Sequence, residues 1–162
     1  MTELDVQIQV ADYLRLHYPS VLFHSDFGSG LKLTIGQARK QYRLQGGRRA
    51  WPDMFIAEPK AQPLDLSKGS PYRPLMDLAM YAGLMIELKK DGEKLHPGPR
   101  AKNRFKSIDG KEYKTEHLME QADVLYKLRQ AGYAAKFAIG LDEAKEIIDE
   151  YLGGPEVEEV EF

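Results

Sequence analysis

Short apolar runs alternate along this chain with segments of helical periodicity, and that alternation restricts it to a sheet layered with helices. Residues 21–24, 53–57, 83–88 and 134–139 are predicted strands, each short, apolar and bounded by Gly, Pro or polar residues. Residues 1–17 are a predicted helix. Leu4, Ile8, Val10, Ala11 and Leu14 recur there at helical spacing, Thr2 can cap the start, and Pro19 follows the end. Further helices are predicted over 34–44, 116–130 and 141–152, with Gly46-Gly47, Gly132 and Gly153-Gly154-Pro155 at their ends. The last of them turns Ala144, Ile147, Ile148 and Tyr151 inward. The order α-β-α-β-β-α-β-α predicts an α/β fold. It is read as one domain over residues 1–153 around a mixed sheet of about four strands, with an acidic tail over 154–162. Residues 59–80 and 90–114, rich in Gly, Pro and polar side chains, are predicted as long loops.

At 162 residues the chain is long enough for one full hydrophobic core. It has no Cys, which excludes disulfides and Cys-zinc sites. No apolar run approaches the ~18 residues of a membrane-spanning helix, and no basic start leads into an apolar block. The expectation is a cytoplasmic protein without a membrane partner. The formal charge of −2 hides an asymmetry. Residues 142–162 hold nine acids and one base, which leaves 22 bases against 16 acids in the rest of the chain. A polyanionic partner is therefore compatible with the near-neutral total.

One residue contradicts its surroundings. Glu87 lies inside Leu84-Met85-Ile86-Glu87-Leu88, where a carboxylate is costly unless it is paired or bound to a cation. Lys89 leaves the same strand face roughly 7 Å further on. Asp53, just after Pro52, opens another apolar strand. Neighbouring strands lie ~4.8 Å apart, so paired strands would let Asp53 and Glu87 reach one divalent cation, with Lys89 beside it. Two carboxylates, a cation and a lysine meet the needs of phosphodiester hydrolysis, which are charge neutralisation on the phosphate and an activated water. The plainer alternative is that Glu87 and Lys89 form a satisfied ion pair at a strand end.

Pro52-Asp53 followed by Glu87-Leu88-Lys89 resembles the PD-(D/E)xK nuclease pattern, and within it the virus-type replication-repair nucleases (VRR-NUC) in their compact phage and bacterial form. The likeness extends over most of the chain. It takes in Glu3-x-x-x-Gln7, the approach from Gly46 to Asp53, Gln121, Gly132-Tyr133, and Gly140-x-Asp142-Glu143-Ala144 with Tyr151-Leu152. It implies a restriction-endonuclease-like core and Mg²⁺- or Mn²⁺-dependent hydrolysis of DNA. Asp53, Glu87, the Leu88 carbonyl and Glu3 would hold the cation, with Lys89 at the water and Gln121 and Gln7 as polar partners. It further implies branched DNA such as Holliday junctions, a homodimer, and the host bacterial cytoplasm for a phage-encoded chain. Nicking, end-processing, and a non-catalytic DNA-binding module remain as alternatives. The separation of Asp53 from Glu87 is longer than in the compact family pattern, because of residues 60–80.

Helical periodicity bears separately on the two glutamines. Gln7 shares a stripe with Glu3, Val10 and Leu14, and Gln121 shares one with Leu118, Leu125 and Leu128. A glutamine on a buried face needs partners, either site groups or local backbone. Glu3 in a first turn also complements the helix dipole. Two acid-free basic stretches suit a phosphate backbone. One carries Lys32, Arg39, Lys40, Arg43, Arg48 and Arg49, and the other carries Lys94, Arg100, Lys102, Arg104 and Lys106. They are expected to form the walls of a groove at the site, with the acidic segment 142–162 away from it. Trp51 reads as a packing residue before a base-stacking one, and the four His show no metal-ligand spacing.

Overall fold

The structure, a computed structural model, describes residues 1–26, 33–47, 50–61 and 80–154. Lys32, Arg48, Arg49, the Gly28-Ser29-Gly30 turn, most of the 59–80 stretch and the acidic tail from residue 155 lie outside the described residues. The elements are α1 (Glu3–His17), β1 (Phe23–Ser25), α2 (Ile35–Leu44), β2 (Met54–Ile56), β3 (Lys60–Ala61), β4 (Met80–Tyr81), β5 (Leu84–Lys89), β6 (Phe105–Lys106), β7 (Glu112–Tyr113), α3 (Glu116–Gln130), β8 (Ala134–Ile139) and α4 (Gly140–Leu152). The fold is α/β, with a mixed four-stranded sheet in the order β1-β2-β5-β8, flanked by helices. β1, β2 and β5 pair antiparallel, whereas β8 runs parallel to β5. A parallel neighbour needs a crossover, and α3 supplies it.

Two predicted loops contain short strands. β3 pairs with β4 across the 62–79 segment, and β6 pairs with β7 inside the 90–114 stretch. Pairs of two-residue strands have no apolar alternation to read. The second ribbon is fixed through side chains: Ser107 Oγ donates to Asp123 on α3, and the Tyr113 hydroxyl donates to Asp109. Neither tie leaves a periodic apolar pattern in the sequence.

One sheet face packs against α1 and α4. Val6, Val10 and Leu14 of α1 and Ala144, Ile147 and Ile148 of α4 meet Met54, Ile56, Leu84, Ile86 and Leu88. Full burial of a side chain of this size is worth about 1.5–3 kcal/mol. Thr2 caps α1 in a capping box with Asp5. Leu4 and Ile8, expected inside, are exposed at 37% and 52%. The inward stripe is Val6–Val10–Leu14 with Gln7 beside it, so the two outer residues rotate off the sheet. At the far end of α1, the Tyr13 and Tyr18 hydroxyls both donate to Asp149 of α4. Tyr151, half-buried, donates to the Glu58 carbonyl. No helix among the described residues is long and apolar enough to cross a membrane.

The opposite face is covered only in part. Val124, Leu125 and Leu128 of α3 pack on Met85, Ala135 and Phe137, over the β5–β8 half. α2, capped by Thr34 and Gln37, buries no residue. Among the described residues, the β1–β2 half of this face borders a cleft lined by Gln41 and Leu44 of α2.

Gly83, at the entry to β5, shows how closely the strands are set. A Cβ there would lie 2.7 Å from the Ile56 carbonyl oxygen and 2.7 Å from the Phe55 ring. The carbonyl belongs to the pairing strand and cannot swing aside. Gly83→Ala is expected to destabilise the fold by about 1–3 kcal/mol, as an overpacked core does. Urea unfolding checks this, with a lower midpoint at unchanged slope as the expected result.

Candidate active site

Six polar or charged side chains are buried among the described residues: Gln7, Asp53, Glu87, Lys89, Ser107 and Gln121. Five of them converge at one end of the sheet, and Ser107 serves the β6–β7 ribbon. A buried polar cluster costs desolvation, so five such side chains in one place call for a compensating role.

The pairing of β2 with β5 sets the centre. Met54 stands opposite Ile86, and continuing that register one residue brings Asp53 opposite Glu87. Strand alternation sends Leu84, Ile86 and Leu88 into the α1–α4 core and turns Met85, Glu87 and Lys89 to the other face. Asp53 is 8% exposed and accepts a 2.8 Å hydrogen bond on Oδ2 from the Leu88 amide. That bond locks the start of β2 to the strand carrying Glu87.

Glu87 is 2% exposed. Its Oε1 accepts from Lys89 Nζ at 2.8 Å and from Gln121 Nε2. The amide orientation of Gln121 is determined by this contact, because the flipped form would set two acceptor oxygens against each other. The ion pair expected as the plainer alternative is therefore present, but it satisfies only half of the carboxylate. Among the described residues, Glu87 Oε2 and Gln121 Oε1 are buried without a hydrogen-bond partner. An orphaned buried acceptor costs ~1–3 kcal/mol, and more when charged.

Lys89, 4% exposed, also lies 3.4 Å from Glu3 Oε1. Glu3 reaches the cluster through Lys89, with its own side chain 47% exposed. Burial pushes the Glu87 carboxyl up to about 8, with the Asp53 charge adding and Lys89 opposing. Burial works against the Lys89 ammonium as well, but the Glu87 charge and hydrogen bond, then Glu3 and Asp53, raise its pKa overall. The two shifts have one meaning. Three carboxylates surround a single lysine, and the cluster favours further positive charge, whether a proton or a cation.

The donor set fits a hard divalent cation in this respect. No group of three His, Cys, Asp or Glu side chains among the described residues is arranged to hold a metal unaided. Mg²⁺ does not require one, because it is commonly bound by one or two carboxylates and completed by water and phosphate oxygens.

Gln121 meets the carboxylate itself, whereas Gln7 meets backbone. Gln7 Nε2 donates to Ser25 Oγ at 2.7 Å, to the Asp26 carbonyl at 2.5 Å and to the Asp53 carbonyl at 3.4 Å. The Asp26 amide also donates to the Asp53 carbonyl at 2.8 Å. Gln7 thus ties α1 to the main chain of Asp53 and the end of β1. Nothing in the local sequence marks Ser25 and Asp26 for this task, beyond being polar residues that end a strand.

The described basic residues of the two stretches sit on α2 and within 90–114. Arg39, Lys40 and Arg43 are exposed along α2. Arg100, Lys102 and Lys106 are exposed near the β6–β7 ribbon. Arg104 is engaged: it bonds Glu112 at 2.8 Å and the carbonyls of Gly98 and Pro99, so it braces this loop. Gln41 and Leu44 of α2, and Gln45 just after its end, line the cleft beside Asp53. Leu95, from the other basic stretch, packs with Tyr113 and Leu118 beyond α3. Of the acidic segment, α4 lies against the sheet face away from the cleft, packed on α1.

No protein-family model matches the chain. No curated protein matches it. Two chains of solved structures do. One is described as a VRR_NUC domain protein, with 21% sequence identity and a TM-score of 0.54, over 94% of this chain and 89% of that one. The two chains share a fold. At this identity the likeness concerns architecture, and the chemistry must be argued from the residues above.

Proposed function

We propose that this chain is a cation-dependent nuclease that hydrolyses DNA phosphodiester bonds at the Asp53–Glu87–Lys89 cluster. The observation that carries the reading is the second oxygen of Glu87, a buried carboxylate acceptor with no hydrogen-bond partner among the described residues, in a cluster with more negative charge than Lys89 neutralises. The name of the structural neighbour, a VRR_NUC domain protein, and the resemblance of Pro52-Asp53 and Glu87-Leu88-Lys89 to nuclease motifs support the same reading.

A Mg²⁺ or Mn²⁺ ion held by Asp53, Glu87 and the Leu88 carbonyl, with Glu3 close by, would supply charge neutralisation at the phosphate and a more acidic attacking water. The protein's own groups are set for the remaining tasks. Gln7 and the Leu88 amide hold Asp53 by its backbone and its carboxylate. Gln121 holds Glu87 in one rotamer and leaves Oε2 for the cation. Lys89, its pKa raised, stays protonated, so it serves as a donor and not as a base. Its ammonium pairs with Glu87 at 2.8 Å and with Glu3 at 3.4 Å. An ammonium has three donors, and the remaining capacity can serve a water or a phosphate oxygen, where a fixed charge lowers the barrier.

Branched DNA is the proposed substrate and a homodimer the proposed state, since two-fold symmetry sets two sites against symmetric strands. Nicking or end-trimming with the same chemistry would give different products, and a non-catalytic module would bind without cleaving. The test incubates the protein with a labelled four-way junction, a linear duplex and a single strand, in Mg²⁺, Mn²⁺ or EDTA. Junction cleavage in either cation and none in EDTA is expected. Binding without cleavage of any of the three would refute the enzymatic reading.

A further inference from the structure

The cleft beside Asp53 has a composition that the hydrolytic residues do not explain. It encloses about 800 Å³, within the range of small-molecule sites. The β1–β2 register sets His24, Phe55 and Met85 in one cross-strand row on its floor, one step from the Asp53–Glu87 row. Trp51 and Leu44 form its sides. Trp51 is 39% exposed, so the packing role expected from its place beside Pro52 accounts for only part of the ring. Its Nε1 donates to the Gln45 carbonyl at 2.8 Å, which fixes the indole by its edge. Gln45 in turn donates to Asp26 Oδ2 at 3.3 Å. The indole is thus held in place while part of its surface stays open.

We propose that this cleft receives an unpaired nucleobase of the DNA strand adjacent to the bond being cleaved. The inference rests on the nuclease reading and names the substrate feature that the site selects. The occupant follows from the lining. Among the described residues it offers no Lys or Arg to a phosphate and is largely apolar and aromatic. A neutral aromatic ring suits Trp51, Phe55 and Met85, and Gln41 and His24 can meet the polar edge of a base. The phosphates on either side belong outside the cleft, where α2 exposes Arg39, Lys40 and Arg43. A base held within continuous duplex cannot enter, so the cleft favours DNA with an unpaired base, as in a flap or a gap, or a readily unstacked one, as at a branch point.

Trp51 is the only Trp in the chain, so its fluorescence reports this site alone. The Glu87→Gln variant, expected to bind without cutting, is titrated in Mg²⁺ with a continuous duplex and with the same duplex carrying one unpaired 2-aminopurine. DNA binding is followed independently by anisotropy of a distant dye. Expected results are quenching of Trp51 and of 2-aminopurine on the second DNA, both saturating with the anisotropy curve, and little change on the first. Trp51→Ala should weaken the second complex roughly 5- to 150-fold, the worth of one base–aromatic stack, and leave the duplex complex nearly unchanged. Trp51→Phe should restore most of the difference.

Unchanged Trp51 emission at saturating anisotropy overturns the inference, and this arm needs no change at Trp51. Equal weakening of both complexes by Trp51→Ala also overturns it. Cleavage by the unsubstituted protein is measured alongside. Cleavage without quenching rejects the base site and keeps the nuclease. Absence of both binding and cleavage rejects the two together.

Discussion

Asp53→Asn and Glu87→Gln are each expected to lower DNA cleavage by ~1,000-fold or more while the fold persists. Both changes preserve side-chain shape, and the reason the fold survives is specific to each site. In Glu87→Gln the Gln121 and Lys89 contacts have an acceptor oxygen to keep, and a buried charge is removed from beside Asp53. In Asp53→Asn an oxygen remains to accept from the Leu88 amide. DNA binding should be retained or strengthened, because one negative charge next to the phosphate is gone. Single-turnover rates and far-UV circular dichroism on the same samples check both halves. Near-normal rates in either variant would remove these carboxylates from the chemistry.

Lys89→Met is expected to cut the cleavage rate at saturating cation by roughly 100- to 1,000-fold, while cation affinity stays the same or rises. The sign follows from the charge count, since Lys89 is the cation already present among Glu3, Asp53 and Glu87. Removing it leaves a buried carboxylate unpaired, which costs about 3–5 kcal/mol without metal. Mn²⁺ should therefore raise the melting temperature of this variant more than that of the unsubstituted protein, because binding to the native state alone is stabilising. Calorimetric titration with Mn²⁺ separates the two effects. Lost affinity with a normal rate at saturation would assign Lys89 to holding the cation's ligands and not to the reaction.

Where secondary structure depends on periodicity, it was legible in the sequence. The helix predicted over 116–130 and the strand over 134–139 coincide with α3 and β8. Glu87 stood out because an apolar strand surrounds it, and Gln7 and Gln121 because they interrupt apolar stripes. What escaped depends on partners distant in sequence. The β3–β4 and β6–β7 ribbons are too short to carry a pattern. The exposure of Leu4 and Ile8 reflects how α1 is rotated on the sheet, with Gln7 anchored to Ser25, Asp26 and Asp53. The open state of Trp51 follows from α3 covering only the β5–β8 half of its face, which no local spacing encodes.

The proposed activity is cation-dependent hydrolysis of DNA at the Asp53–Glu87–Lys89 cluster. The most direct measurement is the single-turnover cleavage rate of a labelled four-way junction as Mn²⁺ is raised from zero in metal-free buffer, for the unsubstituted protein and for Glu87→Gln. The expected rate rises from background and saturates with Mn²⁺ for the unsubstituted protein, returns to background on adding EDTA, and stays at background throughout for Glu87→Gln. A rate independent of Mn²⁺, or equal in the two proteins, would contradict it.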